Sequence, residues 1–152
     1  MATEVHDLVD EQLRRTRQRY TRGRRQLVAL LVALGRPVTI PELLEHGAMQ
    51  SQSSLYRNLA ILEQCGAVER IASTDDVARY ELTEELAGHH HHLVCSSCGR
   101  IDDVVLPSAV ERALALAAGE AHDQRGFVVE SHKIELVGTC RSCAADAAGT
   151  EP

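Results

Sequence analysis

The chain has 152 residues, room for one ordinary domain or two small ones, and a hydrophobic content of 44% that can build cores although aromatics make up only 3% and Trp is absent. The longest apolar run, residues 27–34, is far too short to cross a bilayer and the first residues lack a signal-peptide pattern, so a cytoplasmic protein without a membrane partner is expected. A net charge of −6 argues against nucleic acid only if it is evenly spread, and it is not: ten Arg and four Glu lie between Arg14 and Arg70, with seven of those Arg between Arg14 and Arg25, whereas fourteen acids against six bases follow. Such a basic stretch on an acidic protein is the electrostatic footprint of a DNA-binding module, weighed against a merely solvated Arg-rich helix face.

In chain order, Leu8, Val9 and Leu13 predict a first helix, interrupted near residues 20–23, and a second helix covers 24–34 until Gly35 and Pro37 stop it. Thr39 is placed to cap a short helix over 40–46 with Pro41 in its first turn, and residues 47–51 form a turn. Ser51 to Ser54 offer N-caps for a fourth helix reaching Cys65, whose apolar face is Leu55, Leu59 and Leu62 with Ile61 alongside and which Gly66 closes. Residues 67–72 and 77–82 alternate as two strands joined by the polar turn Ser73-Thr74-Asp75-Asp76. Helix, turn, helix and hairpin is the order of a winged helix, here over residues 1–82.

Residues 83–88 are short, polar and Gly-terminated, and predict a hinge. After it come strands over 91–95 and 100–106, an Ala/Leu-rich helix from Ser108 to about His122 behind Pro107, and strands over 127–131 and 134–137. These make a second, metal-binding unit over 89–143, and the small, polar residues 144–152 read as a flexible tail.

Five Cys in a reducing compartment point away from disulfides, and four of them fall in two C-x-x-C pairs, Cys95/Cys98 followed by Gly99, and Cys140/Cys143. Thiolate is the soft ligand of closed zinc sites, and two such knuckles make one tetrahedral centre. Just ahead stand His89, His90, His91 and His92. Side chains alternate on an extended chain, so His90 and His92 share one face while His89 and His91 share the other, and one strand can feed two metal sites. Glu111 or His132 could complete a site with His89 and His91; Glu69 and Glu81, at the start and end of the hairpin, could meet His90 and His92 across the hinge. Each carboxylate taken singly also suits a solvated surface. His6, His46 and His122 read as surface residues, and Cys65 as a small buried hydrophobe.

The runs H-H-H-H-L-V-C-S-S-C-G-R-I and S-H-K-I-E-L-V-G-T-C-R-S-C, with S-S-L-Y-R-N-L-A-I-L-E-Q-C-G-A-V upstream, resemble the ferric-uptake-regulator family of bacterial metalloregulators over residues 21–143. The resemblance implies an α+β chain, an N-terminal winged helix followed by a small α/β dimerisation domain, in which metal at the hinge closes the dimer for operator binding. It implies structural Zn(2+) at Cys95, Cys98, Cys140 and Cys143, and a regulatory Fe(2+) or Zn(2+) site at Glu81, His90 and His92, with Glu69 beside it. A further site would use His89, His91, Glu111 and His132. For DNA it implies Tyr56 and Arg57 on the recognition helix, Ser54 at its start, and Arg24 on the backbone. The function implied is a metal-dependent repressor of metal-homeostasis genes, acting as a homodimer on a near-palindromic double-stranded operator, and not an enzyme.

Departures from the family pattern bear on the metal. Iron and peroxide sensors carry a His where this chain has Pro37, zinc sensors a Cys where it has Leu82 and Thr83, and both the hinge and residues 122–125 are extended. Iron or a generic divalent ion is favoured, with a zinc uptake regulator as the alternative. A peroxide sensor, a metal store and a zinc hydrolase stand further back: no H-E-x-x-H, or H-x-E with P-C-x-x-C, is present, and a store needs neither a basic helix nor a wing.

Overall fold

The computed structural model describes residues 2–72 and 75–148. The turn residues Ser73 and Thr74, and residues 149–152 of the expected tail, lie outside the described residues. Helix α1 (Ala2–Arg15) is followed by three helices that each begin on a hydroxyl taking an orphan backbone amide. Thr21 caps α2 (Arg22–Leu34), Thr39 caps α3 (Ile40–Glu45) in a full capping box with Glu42, and Ser51 caps α4 (Gln52–Gln64). Because Thr21 accepts from the Arg24 amide, α2 starts two residues earlier than the sequence predicts. It ends on Gly35, whose φ of 55° is the left-handed conformation that a residue without Cβ adopts freely.

Strands β1 (Val68–Ile71) and β2 (Arg79–Leu82) pair antiparallel, Val68 opposite Leu82 and Ile71 opposite Arg79, and Val38 bridges to Tyr80 beside them. One face of this hairpin sends Val68, Tyr80 and Leu82 into the main core, where they meet Val9 and Leu13 of α1, Leu27, Val28 and Leu31 of α2, Leu43 of α3 and Leu55, Leu59 and Leu62 of α4. The result is the winged-helix arrangement, closed around one apolar centre.

The C-terminal half is built differently. A three-stranded sheet of order β4-β3-β5 combines β3 (His91–Cys95) antiparallel to β4 (Ile101–Val104) and parallel to β5 (Glu135–Gly138). Helix α6 (Ser108–Arg125) has no buried residue and all four residues of β5 are exposed. The buried apolar residues Val94 and Ile101 form a small second cluster, and its third member is Ile71 of β1.

Four expectations need correcting. Residues 127–131 form no strand: a strand needs a neighbour for its ladder, and among the described residues neither β4 nor β5 takes the segment up, leaving Phe127 and Val128 exposed. Inside the hinge, α5 (Glu84–Ala87) forms a helical turn after Thr83, with Leu86 packed on the main core. Helix α6 runs three residues beyond His122, to the left-handed Gly126. Lastly, α7 (Arg141–Ala148) occupies the first half of the expected tail, as its Ala content allows.

Candidate metal centres and nucleic-acid interface

Two turns bring four thiols together. Cys95 ends β3, Cys98 lies in the turn to β4, and Cys140 and Cys143 flank the start of α7. All four sulfurs lie within 4.8 Å of one another, with Cys98 and Cys140 at 3.9 Å. A tetrahedron of sulfurs ~2.3 Å from zinc has edges of about 3.8 Å, so the cluster has the dimensions of a closed zinc site. Backbone amides assist: the Cys140 amide donates to Cys95 Sγ at 3.3 Å, and this bond, with those from Cys98 and Ser97, lowers the Cys95 thiol to about 6. Cys143 is pushed up to about 12, chiefly by its hydrogen bonds to the Cys140 and Cys98 sulfurs. Without a cation the four thiols must share protons, and a divalent metal is what lets all four ionise.

The alternation of β3 divides the His tract. On one side His89, His91, Glu111 and His132 form a second group whose ligand atoms also lie within 4.8 Å of one another. Three imidazoles aim Nε2 at Glu111: His91 at 2.8 Å, His132 at 3.2 Å and His89 at 3.4 Å. The hydrogen bond from His91, then the nearby imidazole charges, lowers the Glu111 pKa. His132 Nε2 is buried and makes no hydrogen bond despite that proximity, an orphaned donor atom that a cation would satisfy. His89 Nδ1 lies 3.2 Å from Glu84 of α5, the kind of outer carboxylate that fixes a ligating imidazole's tautomer.

On the other side stand Glu81, His90, His92 and Asp103, again within 4.8 Å. Glu81, only 4% exposed, comes from β2 and reaches back between the imidazoles, 3.0 Å from His92 Nε2 and 3.4 Å from His90 Nε2. Asp103 lies 3.9 Å from His90, and its Oδ1 is buried without a partner. Burial first, then the Glu81 charge, pushes the Asp103 carboxyl up to about 6. The Glu81 hydrogen bond raises His92; for His90, burial acts downward but is outweighed by the Gly88 carbonyl, Glu81 and Asp103. The cluster therefore holds protons where a divalent ion would be better matched. Two imidazoles and two carboxylates, with no thiolate, suit zinc, iron(II) or manganese.

Far from these groups, α4 exposes Tyr56 at 52% together with Arg57, while Leu55 and Leu59 fill the core. Ser54 is half-buried, its hydroxyl accepting from Ser51 and from Arg57. Arg24 is placed differently from expectation. It is buried, and its guanidinium donates to the Arg19 carbonyl and, at 3.2 Å, to Asn58 of α4, so it fastens α2 to α4 instead of facing solvent. Asn58 continues through Gln50 to the Gly23 carbonyl. Arg14 and Arg15 are partly neutralised by Asp10 and Glu11 one turn earlier, leaving Arg19, Arg22 and Arg25 exposed near the start of α2.

The family model described as the ferric uptake regulator family matches residues 15–137. The chain belongs to the ferric uptake regulator family. The chain is 34% identical over 140 residues to the transcriptional regulator FurA of Mycobacterium tuberculosis, a match covering 88% of each chain. It is also 34% identical over 94 residues to the ferric uptake regulation protein of Bacillus subtilis, covering 60% of this chain and 58% of that one. The fold is shared with the Helicobacter pylori ferric uptake regulator, described as having three functional metal-binding sites, at a TM-score of 0.72 and 20% identity over 95% of this chain and 94% of that one. Members of this family are dimeric DNA-binding transcription regulators, not enzymes. No helix among the described residues is long and apolar enough to cross a membrane.

Of the residues singled out in the sequence, the structure gathers all four Cys and all four of the second group. Glu69 is left out of the hinge cluster: it sits opposite Glu81 in the hairpin, but its carboxylate is 3.3 Å from Lys133. Asp103 takes that place and was missed. Its signal was present, since the knuckle sets Val94 opposite Ile101, and counting outward puts His92 opposite Asp103. Glu84 carried no local signal, because its role depends on the unforeseen α5.

Proposed function

We propose that the protein is a metal-dependent transcriptional repressor of metal-homeostasis genes, working in the cytoplasm as a homodimer on a near-palindromic operator. The reading rests above all on Glu81, a residue of the wing hairpin, lying between two His from beyond the hinge. A cation held by Glu81, His90, His92 and Asp103 bridges the two halves of the chain. Binding the closed arrangement better than the open one, it shifts the population toward the form that grips DNA. Residues 1–82 would supply DNA binding, 83–88 the hinge and 89–143 the metal sites and dimer contact. Tyr56 and Arg57 would face the operator, with Ser54 and the buried Arg24 supporting the helix. In a dimer the recognition helices would reach half-sites ~34 Å apart.

Cys95, Cys98, Cys140 and Cys143 would hold zinc permanently. The second carboxylate of the hinge cluster, Asp103, favours iron(II) or a similar hard divalent ion as the signal; zinc is the second reading, supported by a donor set small enough for tetrahedral coordination. Operator binding should be titrated with each metal, using protein stripped of exchangeable ions but retaining its cysteine-bound zinc. His90→Ala is expected to abolish the metal response while dimer and zinc survive, and His89→Ala to soften it. A metal-independent wild type, or a His90→Ala protein that responds like it, overturns the reading.

A further inference from the structure

Antiparallel pairing puts Glu69, Ile71, Arg79 and Glu81 on the outer face of the wing hairpin, away from the main core. On a winged helix standing alone this face would meet solvent. Here Arg79 and Glu81 are each 4% exposed and Ile71 7%, because the C-terminal half covers them. Ile71 packs with Val94 and Ile101, the residues that bracket the first cysteine knuckle. Arg79 holds Asp75 with two hydrogen bonds, of 2.8 and 2.7 Å, and donates to the Val77 carbonyl at 3.0 Å. This pair lies directly on Gly99: a Cβ there would stand 2.2 Å from Asp75 Oδ2 and 2.9 Å from Arg79 Nη2. Gly99 is required twice, for that approach and for its φ of +70°. At the edges, Arg36 reaches Asp102 at 3.9 Å and Lys133 reaches Glu69 at 3.3 Å.

We propose that the outer face of the wing is a docking surface for the first cysteine knuckle, so that the zinc centre orients the DNA-binding half as well as holding its own domain together. Four thiolates around one zinc carry a net double negative charge, and Arg79 lies within electrostatic reach of Cys98. Arg79 and Glu81 are two residues apart on one strand face, so the dock and the Glu81–His90–His92–Asp103 cluster close together and open together. By linkage, weakening the dock must lower the affinity of that cluster for a cation, even with no DNA present. The effect on DNA binding, but not the dock itself, rests on the function proposed above.

The test uses the full-length protein with its zinc in place and carrying His132→Ala throughout to disable the second histidine group, so that cobalt(II) is an optically visible probe of the hinge cluster. Arg79→Gln breaks the dock from the wing side and Ile101→Ala from the knuckle side, so the two variants guard against a folding defect in either half. Each is expected to keep its zinc and its dimeric mass, and to bind cobalt about tenfold more weakly. The double variant should lose little more than either single one, because both remove the same contact. Unchanged cobalt affinity in both variants overturns the proposal. Reduced operator binding by Arg79→Gln at unchanged cobalt affinity overturns it too, assigning Arg79 to DNA contact and leaving the metalloregulator reading intact. Weaker cobalt binding in both variants supports the dock even if wild-type operator binding proves indifferent to metal, which would sink only the proposed function.

Discussion

The N-terminal half is a self-sufficient fold and the C-terminal half is not. Thirteen residues from four helices and both wing strands, with Val38 and Ala67 from the connections, close around the first core. The second half buries Val94 and Ile101 against a wing residue, while α6 buries nothing and Leu93, Leu136 and Val137 stay exposed on the sheet. A three-stranded sheet with two helices cannot offset the entropy of ordering its chain with so little apolar burial. What completes it has to be a covalent or coordinate staple and a second copy of the chain, in keeping with the dimeric family. The consequence is that the N-terminal half carries its own core, whereas the C-terminal half depends on what it binds.

The largest effect that would sharpen this contrast is loss of the staple. Cys95→Ser or Cys140→Ser should unfold or monomerise the C-terminal half, since a structural zinc contributes on the order of 10 kcal/mol or more of folding free energy. Amide exchange should then rise across β3 to α7 while α2 and α4 stay protected, and a Cys95→Ser protein that remains a folded dimer with normal zinc content would break the assignment. In the opposite half, Leu59→Ala should cost ~2 to 5 kcal/mol in denaturant unfolding of the winged helix without releasing zinc. A smaller loss, or one that carried the zinc with it, would mean that the halves do not fold independently.

On the exposed sheet, Val137→Asp should weaken association by ~2 kcal/mol, read as a raised dimer dissociation constant by sedimentation, with zinc retained. An unaltered dimer would move the interface away from β5. The smallest effects are expected on α4, where Tyr56→Ala and Arg57→Ala should each lower operator affinity by ~1 to 3 kcal/mol at unchanged metal content. Loss at Tyr56 should depend on operator sequence, and loss at Arg57, if it holds phosphate, should be uniform. Equal affinity for wild type and both variants would remove α4 as the reading helix.

Much of this molecule is legible in its residues because the signals are local. Thr39 and Ser51 mark helix starts, Gly35 and Gly66 lie at helix ends, and the i, i+4, i+7 spacing of Leu55, Leu59 and Leu62 gives α4 its inner face. The two C-x-x-C pairs and the pleat of the His tract sort the ligand types into groups before any fold is known. Where reading failed, the cause was distance along the chain. The strand expected over 127–131 has the right composition, but composition does not say whether a neighbouring strand takes it up, and among the described residues none does.

The sequence alone determined the helix, turn, helix and hairpin order of the first half, the caps at Thr39 and Ser51, the two cysteine turns and the division of four imidazoles between two faces, because each depends on residues within a few positions of one another. Only the tertiary structure decided that Glu69 turns to Lys133 and stays out of the hinge cluster, that Glu84 backs His89, that Arg24 ties α2 to α4, and that Arg79 and Ile71 rest on the knuckle. Those choices follow from strand register and from the packing of one half on the other, long-range pairings that no local pattern records.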